Sequence, residues 1–247
     1  MTIRLFLFLL CGFAGILVAA EPVVTADSAL LFDANTGRVL FKQNENERRP
    51  VASTQKLLTA LLIAENGNLS KPVTIVKNDT LAEPTKLYLK PGESYTRQQL
   101  LTALLVKSPN DAARALARDN AGDLASFADK MNRRMAQLGG NSSNFVNPNG
   151  LPAKGQFSSA RDMARVARAA YFNPLLRDIM RTKYYTFRHA SGKTTTLKNT
   201  NRVLRTYSFC NGMKTGYTDA AGHCLISSGS YNGKDVIAVV LGDNKSR

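Results

Sequence analysis

Strand-like alternation is confined to the two ends of this 247-residue chain, and a long helical stretch separates them. Near the start, "SALLFDANTGRVLFKQN" reads as two strands around the turn Ala34-Asn35-Thr36-Gly37, where Asn and Gly supply the backbone angles a tight reversal needs. Helical periodicity then predicts one helix from about Thr54 to Asn66, stopped by Gly67. Others follow in "TRQQLLTALLVK", in "DAARALARD" and from Asp123 to Leu138, and a further one opens at Ser159, whose spacing to Asp162 is that of a capping box. Strand patterns return in "KYYTFRH", "KTTTLK", "NGMKTGYT", "GHCLISSGSY" and "KDVIAVVLG". The chain is therefore expected to build an antiparallel sheet from its N- and C-terminal pieces, with a helical lobe inserted between them, an α+β arrangement in one domain over residues 21–247.

The first twenty residues, "MTIRLFLFLLCGFAGILVAA", combine a charged start at Arg4, an apolar run and small residues before Glu21. They read as a cleaved export signal. The apolar run is about fourteen residues, shorter than the ~20 a spanning helix needs. Export to the periplasm or to the outer face of the cytoplasmic membrane follows. The net charge is +15, which favours anionic partners such as envelope polymers or lipid headgroups and allows peripheral contact with an anionic envelope surface. Nucleic acid is not implied, because no aromatic and basic interleaving or groove-reading motif accompanies the charge. Arginines 114, 118, 133, 134, 161, 165 and 168 fall on helices and read as solvated faces. Cys210 and Cys224 are expected to stay unbridged: a hairpin turning near Asp219–Ala221 sets Cys224 opposite residue 216, too far from Cys210.

Three short motifs carry the chemistry. Ser53 and Lys56 stand three apart at the head of the first predicted helix and project on one face, so the amine can take the hydroxyl's proton. The helix terminus also favours developing negative charge, and the Ser53 N–H can form half of an oxyanion hole. Alone the pair means little, since Ser at a helix start is commonly only an N-cap. Ser108-Pro109-Asn110 lies between two predicted helices, where a plain turn would also serve. Lys214-Thr215-Gly216 sits on a predicted strand, and glycine there suggests that a ligand or another backbone comes close.

S-x-x-K, S-x-N and K-T-G in this order form the signature of penicillin-recognising serine acyl-transferases. With "RRPVASTQKLLTALL", "LKPGESYTRQQLLTALLVKSPNDAA", "NGLPAKGQFSSARDMA" and "NGMKTGYTDAAGHCLISSGS", the chain resembles the low-molecular-mass D-alanyl-D-alanine carboxypeptidases, serine penicillin-binding proteins that trim cell-wall pentapeptides. The resemblance runs from about Ser28 to Leu241. It implies a β-lactamase/DD-peptidase-like fold with a five-stranded antiparallel sheet, and an active site between the edge bearing Lys214 and the helical lobe. It also implies Ser53 as the acylated nucleophile, Lys56 as its base, Ser108 as the proton shuttle and Asn110 as a substrate hydrogen-bond partner. Lys214 supplies positive charge that keeps Lys56 from being permanently protonated, Thr215 binds the terminal carboxylate, Gly216 belongs to the substrate-binding strand, and the Tyr217 N–H completes the oxyanion hole with that of Ser53. Substrates would be peptidoglycan stems ending in D-Ala-D-Ala, with β-lactams as covalent inhibitors and no metal or organic cofactor.

The chain departs from the pattern in places. Where some relatives carry an arginine between two asparagines, "KNTNRVL" has Thr200 between Asn199 and Asn201, and Arg202 is expected to substitute. The segment "AEPTKLYLKPG" reads as short. Relatives continue past "VVLGDNKSR" into a helix that covers the sheet and often into a second, all-β domain; without that helix one sheet face would lie bare and apolar. Other chemistries fit less well. Only His189 and His223 are available for a Ser-His-Asp or metal site, and both read as surface or sheet residues. A class A β-lactamase would need a glutamate within "NFVNPNGLPAKGQFSSARD", which has none. A DD-endopeptidase using the same residues, or a non-hydrolytic penicillin- or peptidoglycan-binding protein, remains as an alternative.

Overall fold

The computed structural model describes residues 22–244; the expected export signal lies outside the described residues. In chain order the elements are β1 (Ser28–Asp33), β2 (Val39–Gln43), α1 (Lys56–Glu65), β3 (Pro72–Thr74), β4 (Ser94–Thr96), α2 (Arg97–Lys107), α3 (Asn110–Ala121) and α4 (Leu124–Gln137). They continue with α5 (Ala160–Phe172), α6 (Pro174–Met180), β5 (Tyr184–Arg188), β6 (Thr194–Lys198), α7 (Arg202–Thr206), β7 (Cys210–Thr218), β8 (Gly222–Tyr231) and β9 (Lys234–Asp243).

The two ends of the chain do complete one sheet. Its order is β2-β1-β9-β8-β7, five strands with antiparallel neighbours. The opening turn is held by Asp33, whose Oδ1 accepts from the Thr36 amide at 2.8 Å and its hydroxyl at 2.9 Å. Alternation along the strands sends Leu30, Phe32, Ile226, Ile237, Val239 and Leu241 into a core continuous with the helices. Leu225, Val236 and Ala238 face the other way, where with Val203 and Phe209 they line an apolar hollow of about 650 Å³. Leu225, Val236 and Ala238 are half-buried among the described residues.

On the inner side α5 lies against β1 and β9, and α6 against β7. Within the helical lobe α2 is the central rod: Leu100, Leu101, Ala103, Leu104, Leu105 and Val106 are all fully buried, and its polar residues Gln98 and Thr102 mark the side left toward solvent. Thr96 caps it and exchanges hydrogen bonds with Gln99 at 2.8 and 3.1 Å. β5 and β6 form a separate two-stranded hairpin, and β3 and β4 another.

Three expectations are corrected. Ser159 accepts from the Asp162 amide at 3.1 Å, but the Asp162 carboxylate turns instead to the Ser142 amide and the Ser143 hydroxyl, at 2.8 and 2.7 Å, so only half of the capping box forms. Several helical arginines are tethers rather than solvated faces. Arg118 reaches the buried Asp79 at 2.7 Å, Arg161 reaches Glu45 at 2.8 Å, and Arg168 donates to the carbonyls of Ala34 and Asn35 at 2.9 and 2.7 Å. The first helix begins at Lys56, and a 3-10 turn over Ala52–Gln55 precedes it. Cys210 and Cys224 are free and buried, in register opposite Gly229 and Gly216 respectively.

Candidate active site

Ser53 lies inside that 3-10 turn and makes no helix-capping bond. Side chains three apart eclipse in 3-10 geometry, and Lys56 Nζ stands 2.7 Å from Ser53 Oγ. The amine is completed by Asn110 Oδ1 and the carbonyl oxygen of Asn149, each at 2.7 Å, and Ser53 Oγ is 3.3 Å from the same carbonyl. Lys56 is fully buried. Burial, then the neighbouring Lys214 ammonium, hold it well below the usual lysine range, while Asp111 pulls the other way.

The second motif closes α2 and opens α3. Ser108 takes the left-handed conformation (φ 68°) after Lys107, and Pro109 leads directly into Asn110. Its hydroxyl is buried yet has no hydrogen-bond partner among the described residues. Asn110 has both ends of its amide engaged, Oδ1 with Lys56 and Nδ2 donating to the Glu83 carbonyl at 2.9 Å.

The third motif is on β7, the edge strand. Lys214 is fully buried, its Nζ donates to the Thr215 carbonyl at 2.8 Å, and burial draws it down to about 7. Thr215 Oγ1 lies 2.7 Å from Thr200 Oγ1. Gly216 answers the question raised by its place in a strand: a Cβ there would fall 2.6 Å from the Ser53 nitrogen and 2.9 Å from that of Thr54. Another backbone does come close, and it is that of the serine turn.

Ser53, Ser108, Thr215, Gly216 and Tyr217 line one cleft of about 630 Å³, together with Arg202 at the head of α7. Lys56 lies beneath it through its contact with Ser53, and Asn110 through its contact with Lys56. The three motifs thus meet, and every residue singled out from the sequence lies in or directly beneath this cleft or, for Lys214, beside Lys56. His223, expected at the surface or in the sheet, is on β8 and lines the cleft with its ring 4.6 Å from that of Tyr217. The apolar hollow on the sheet shares Val203 and Leu225 with the cleft but holds none of the motif residues.

Sequence reasoning missed two contributors. The Asn149 carbonyl is a backbone group, invisible in residue identity. It is placed because Gly150, at φ 83°, lets that loop run against the serine turn, where a Cβ would sit 2.0 Å from the Ala52 carbonyl oxygen. Thr200 was legible only as an oddity between two asparagines.

Residues 17–245 match the family model described as D-alanyl-D-alanine carboxypeptidase, Peptidase_S11. The chain is 35% identical to the D-alanyl-D-alanine carboxypeptidase DacF of Bacillus subtilis over 90% of its own length and 59% of that protein's. It is 36% identical to the carboxypeptidase DacB2 of Mycobacterium tuberculosis over 89% and 76%. The crystal structure of the carboxypeptidase DacD from Francisella tularensis superposes with a TM-score of 0.87 at 28% identity, covering 92% of this chain and 68% of that one. The chain thus spans little more than half the length of the first of these relatives. With the S-x-x-K, S-x-N and K-T-G residues gathered at one cleft on a sheet and helical lobe shared with these proteins, the chain belongs to the D-alanyl-D-alanine carboxypeptidase family of serine peptidases.

Proposed function

We propose that this protein is an exported serine D-alanyl-D-alanine carboxypeptidase that removes the terminal D-alanine from peptidoglycan pentapeptides. The observation that carries the reading is the 2.7 Å contact between Ser53 Oγ and a fully buried Lys56 amine. An amine held below its usual proton affinity is free to accept the serine proton. Ser53 Oγ then bonds to the carbonyl carbon of the penultimate D-alanine. The carbonyl oxygen takes up the charge at the amides of Ser53 and Tyr217. As the C–N bond breaks, the departing D-alanine nitrogen receives a proton through Ser108, whose hydroxyl has no competing partner among the described residues. Water then adds to the acyl carbon and frees the tetrapeptide and Ser53.

In this reading Lys56, Ser108 and Lys214 share the protons as one coupled unit. Asn110 positions the substrate backbone, Gly216 lets the strand lie beside it, and Thr215 with Arg202 binds the terminal carboxylate. β-Lactams, presenting a strained amide to the same serine, become long-lived acyl-enzymes. Slow release is expected because residues 144–162 bring no glutamate to the cleft to activate water. No helix among the described residues is long and apolar enough to cross a membrane, and the +15 net charge suits contact with an anionic envelope surface.

Intact mass after incubation with a penicillin tests the nucleophile. The native chain is expected to gain one full-mass adduct and Ser53→Ala none; an adduct on both overturns the assignment. D-Alanine release from pentapeptide measured beside cleavage of cross-linked dimers tests the substrate class. Faster cleavage of the dimers would make the protein an endopeptidase.

A further inference from the structure

Asp111 is fully buried, one residue beyond Asn110, and the acyl-transfer steps above make no use of it. Its carboxylate accepts the Leu87 amide at 3.1 and 3.0 Å, the Leu89 amide at 3.3 Å and the Ala112 amide at 2.9 Å. Leu87 and Leu89 are buried, and Tyr88 between them is exposed and left-handed, at φ 59°. In extended chain, neighbouring amides alternate in direction. The amides of 87 and 89 would then share a side but lie roughly 6–7 Å apart; the left-handed Tyr88 breaks the extended run, and both amides reach the one Asp111 carboxylate.

The segment held in this way is a wall of the site. Pro84 and Thr85 line the cleft beside Ser53 and Ser108. Asn110 holds the other end of the same segment, its amide donating to the Thr85 carbonyl at 2.7 Å and its Nδ2 to the Glu83 carbonyl at 2.9 Å. As long as Nδ2 stays on Glu83, the other end of that planar amide, Oδ1, faces Lys56. Two consecutive residues of α3 thus clamp the 83–89 segment, and the clamp decides which end of Asn110 meets the amine. The groups facing that amine are Ser53, Asn110 and the Asn149 carbonyl, with Lys214 on β7 and Asp111 on α3 as its charged neighbours.

We propose that Asp111 is a positioning residue of the acyl transfer, fixing the 83–89 wall and through it the Asn110 amide against Lys56, while setting one negative charge near that amine. The inference rests on the acylation chemistry proposed above. Asp111 draws the Lys56 proton affinity upward, against burial and Lys214.

Asp111→Asn keeps one acceptor oxygen and removes the charge, and its acylation by a fluorescent penicillin can be followed against pH, beside urea unfolding. We expect the plateau rate to fall roughly 10- to 100-fold through misplacement of the reacting groups. The acid limb should move to lower pH by up to about one unit through loss of the anion. A folded Asp111→Asn with the native plateau, or with the native limb, overturns the proposal, including the case where only stability drops. Asp111→Glu keeps the charge but displaces the oxygens; a lowered plateau with an unmoved limb is expected, and a native plateau overturns the proposal even if Asp111→Asn does not fold. Native chain that takes no label at all would instead overturn the acylation chemistry itself.

Discussion

Gly216 and Ser53 meet backbone to backbone: a Cβ on the glycine would lie 2.6 Å from the serine nitrogen. Strand β7 and the 3-10 turn are thereby pressed together without an intervening side chain. This contact sets the amide of the attacking residue beside the strand expected to hold the substrate. It also explains a glycine in a strand position where packing alone would ask for a larger residue.

Gly216→Ala should therefore damage the site more than the fold. The added methyl meets the nitrogens of Ser53 and Thr54, which belong to backbone and cannot swing aside. Overpacking of this kind costs about 1–3 kcal/mol, readable by urea unfolding. Acylation by penicillin should fall by roughly 100-fold or more, since sub-ångström placement of reacting groups matters at that scale. A variant destabilised to this extent but acylated at the native rate would contradict the contact's role.

Lys56→Ala removes the only amine touching Ser53 among the described residues. A positioned base contributes roughly 10²–10⁴-fold, so penicillin acylation should drop within that range while circular dichroism stays native. Residual acylation within a few-fold of the native rate would mean that another group takes the proton.

Stability should rise with pH above neutrality because of the two buried lysines. Burial draws Lys214 down to about 7, and Lys56 also lies well below its ordinary value of 10.5. Between those values and 10.5 the unfolded chain binds more protons than the folded one, so the free energy of unfolding climbs with pH. Each group adds at most about 1.4 kcal/mol per pH unit. Urea midpoints from pH 7 to 9 should increase in the native protein and less steeply in Lys214→Met. Identical slopes would show that Lys214 keeps its ordinary proton affinity in the fold.

Thr215 and Thr200 share one hydrogen bond, at 2.7 Å, and are expected to act together on the substrate carboxylate. Thr215→Val and Thr200→Val should each weaken pentapeptide turnover, chiefly through KM, by roughly tenfold, the scale of one net hydrogen bond. The double variant should lose less than the product of the two, as contacting pairs are not additive. Strict additivity would separate Thr200 from the substrate site.

Much of the architecture was legible in the chain itself. Alternation at the two ends and helical period between them are local properties, imposed by the two-residue repeat of strands and the 3.6-residue repeat of helices. They led to the sheet closed by both termini and to the hairpin register opposing Cys224 to Gly216. The three motifs were legible for another reason: each departs from what packing asks at its position. Lys56 and Lys214 in buried stretches and Gly216 in a strand are poor structural choices, and that mismatch marks chemistry.

Other features depended on contacts between distant segments. The Asp162 carboxylate left its expected cap because Ser142 and Ser143, twenty residues away in sequence, offered better-placed donors. The arginines of α3 and α5 became tethers for the same reason. The Asn149 carbonyl under Lys56, the Thr200 partner of Thr215 and the Asp111 clamp on residues 83–89 carry no local sequence signature, since a backbone oxygen or a single Asp looks alike everywhere. Residue identity alone determined which side chains could transfer a proton or become acylated. Only the folding of remote segments onto one another decided which of them share a low-dielectric pocket, and burial in that pocket is what turns an ordinary lysine into a base.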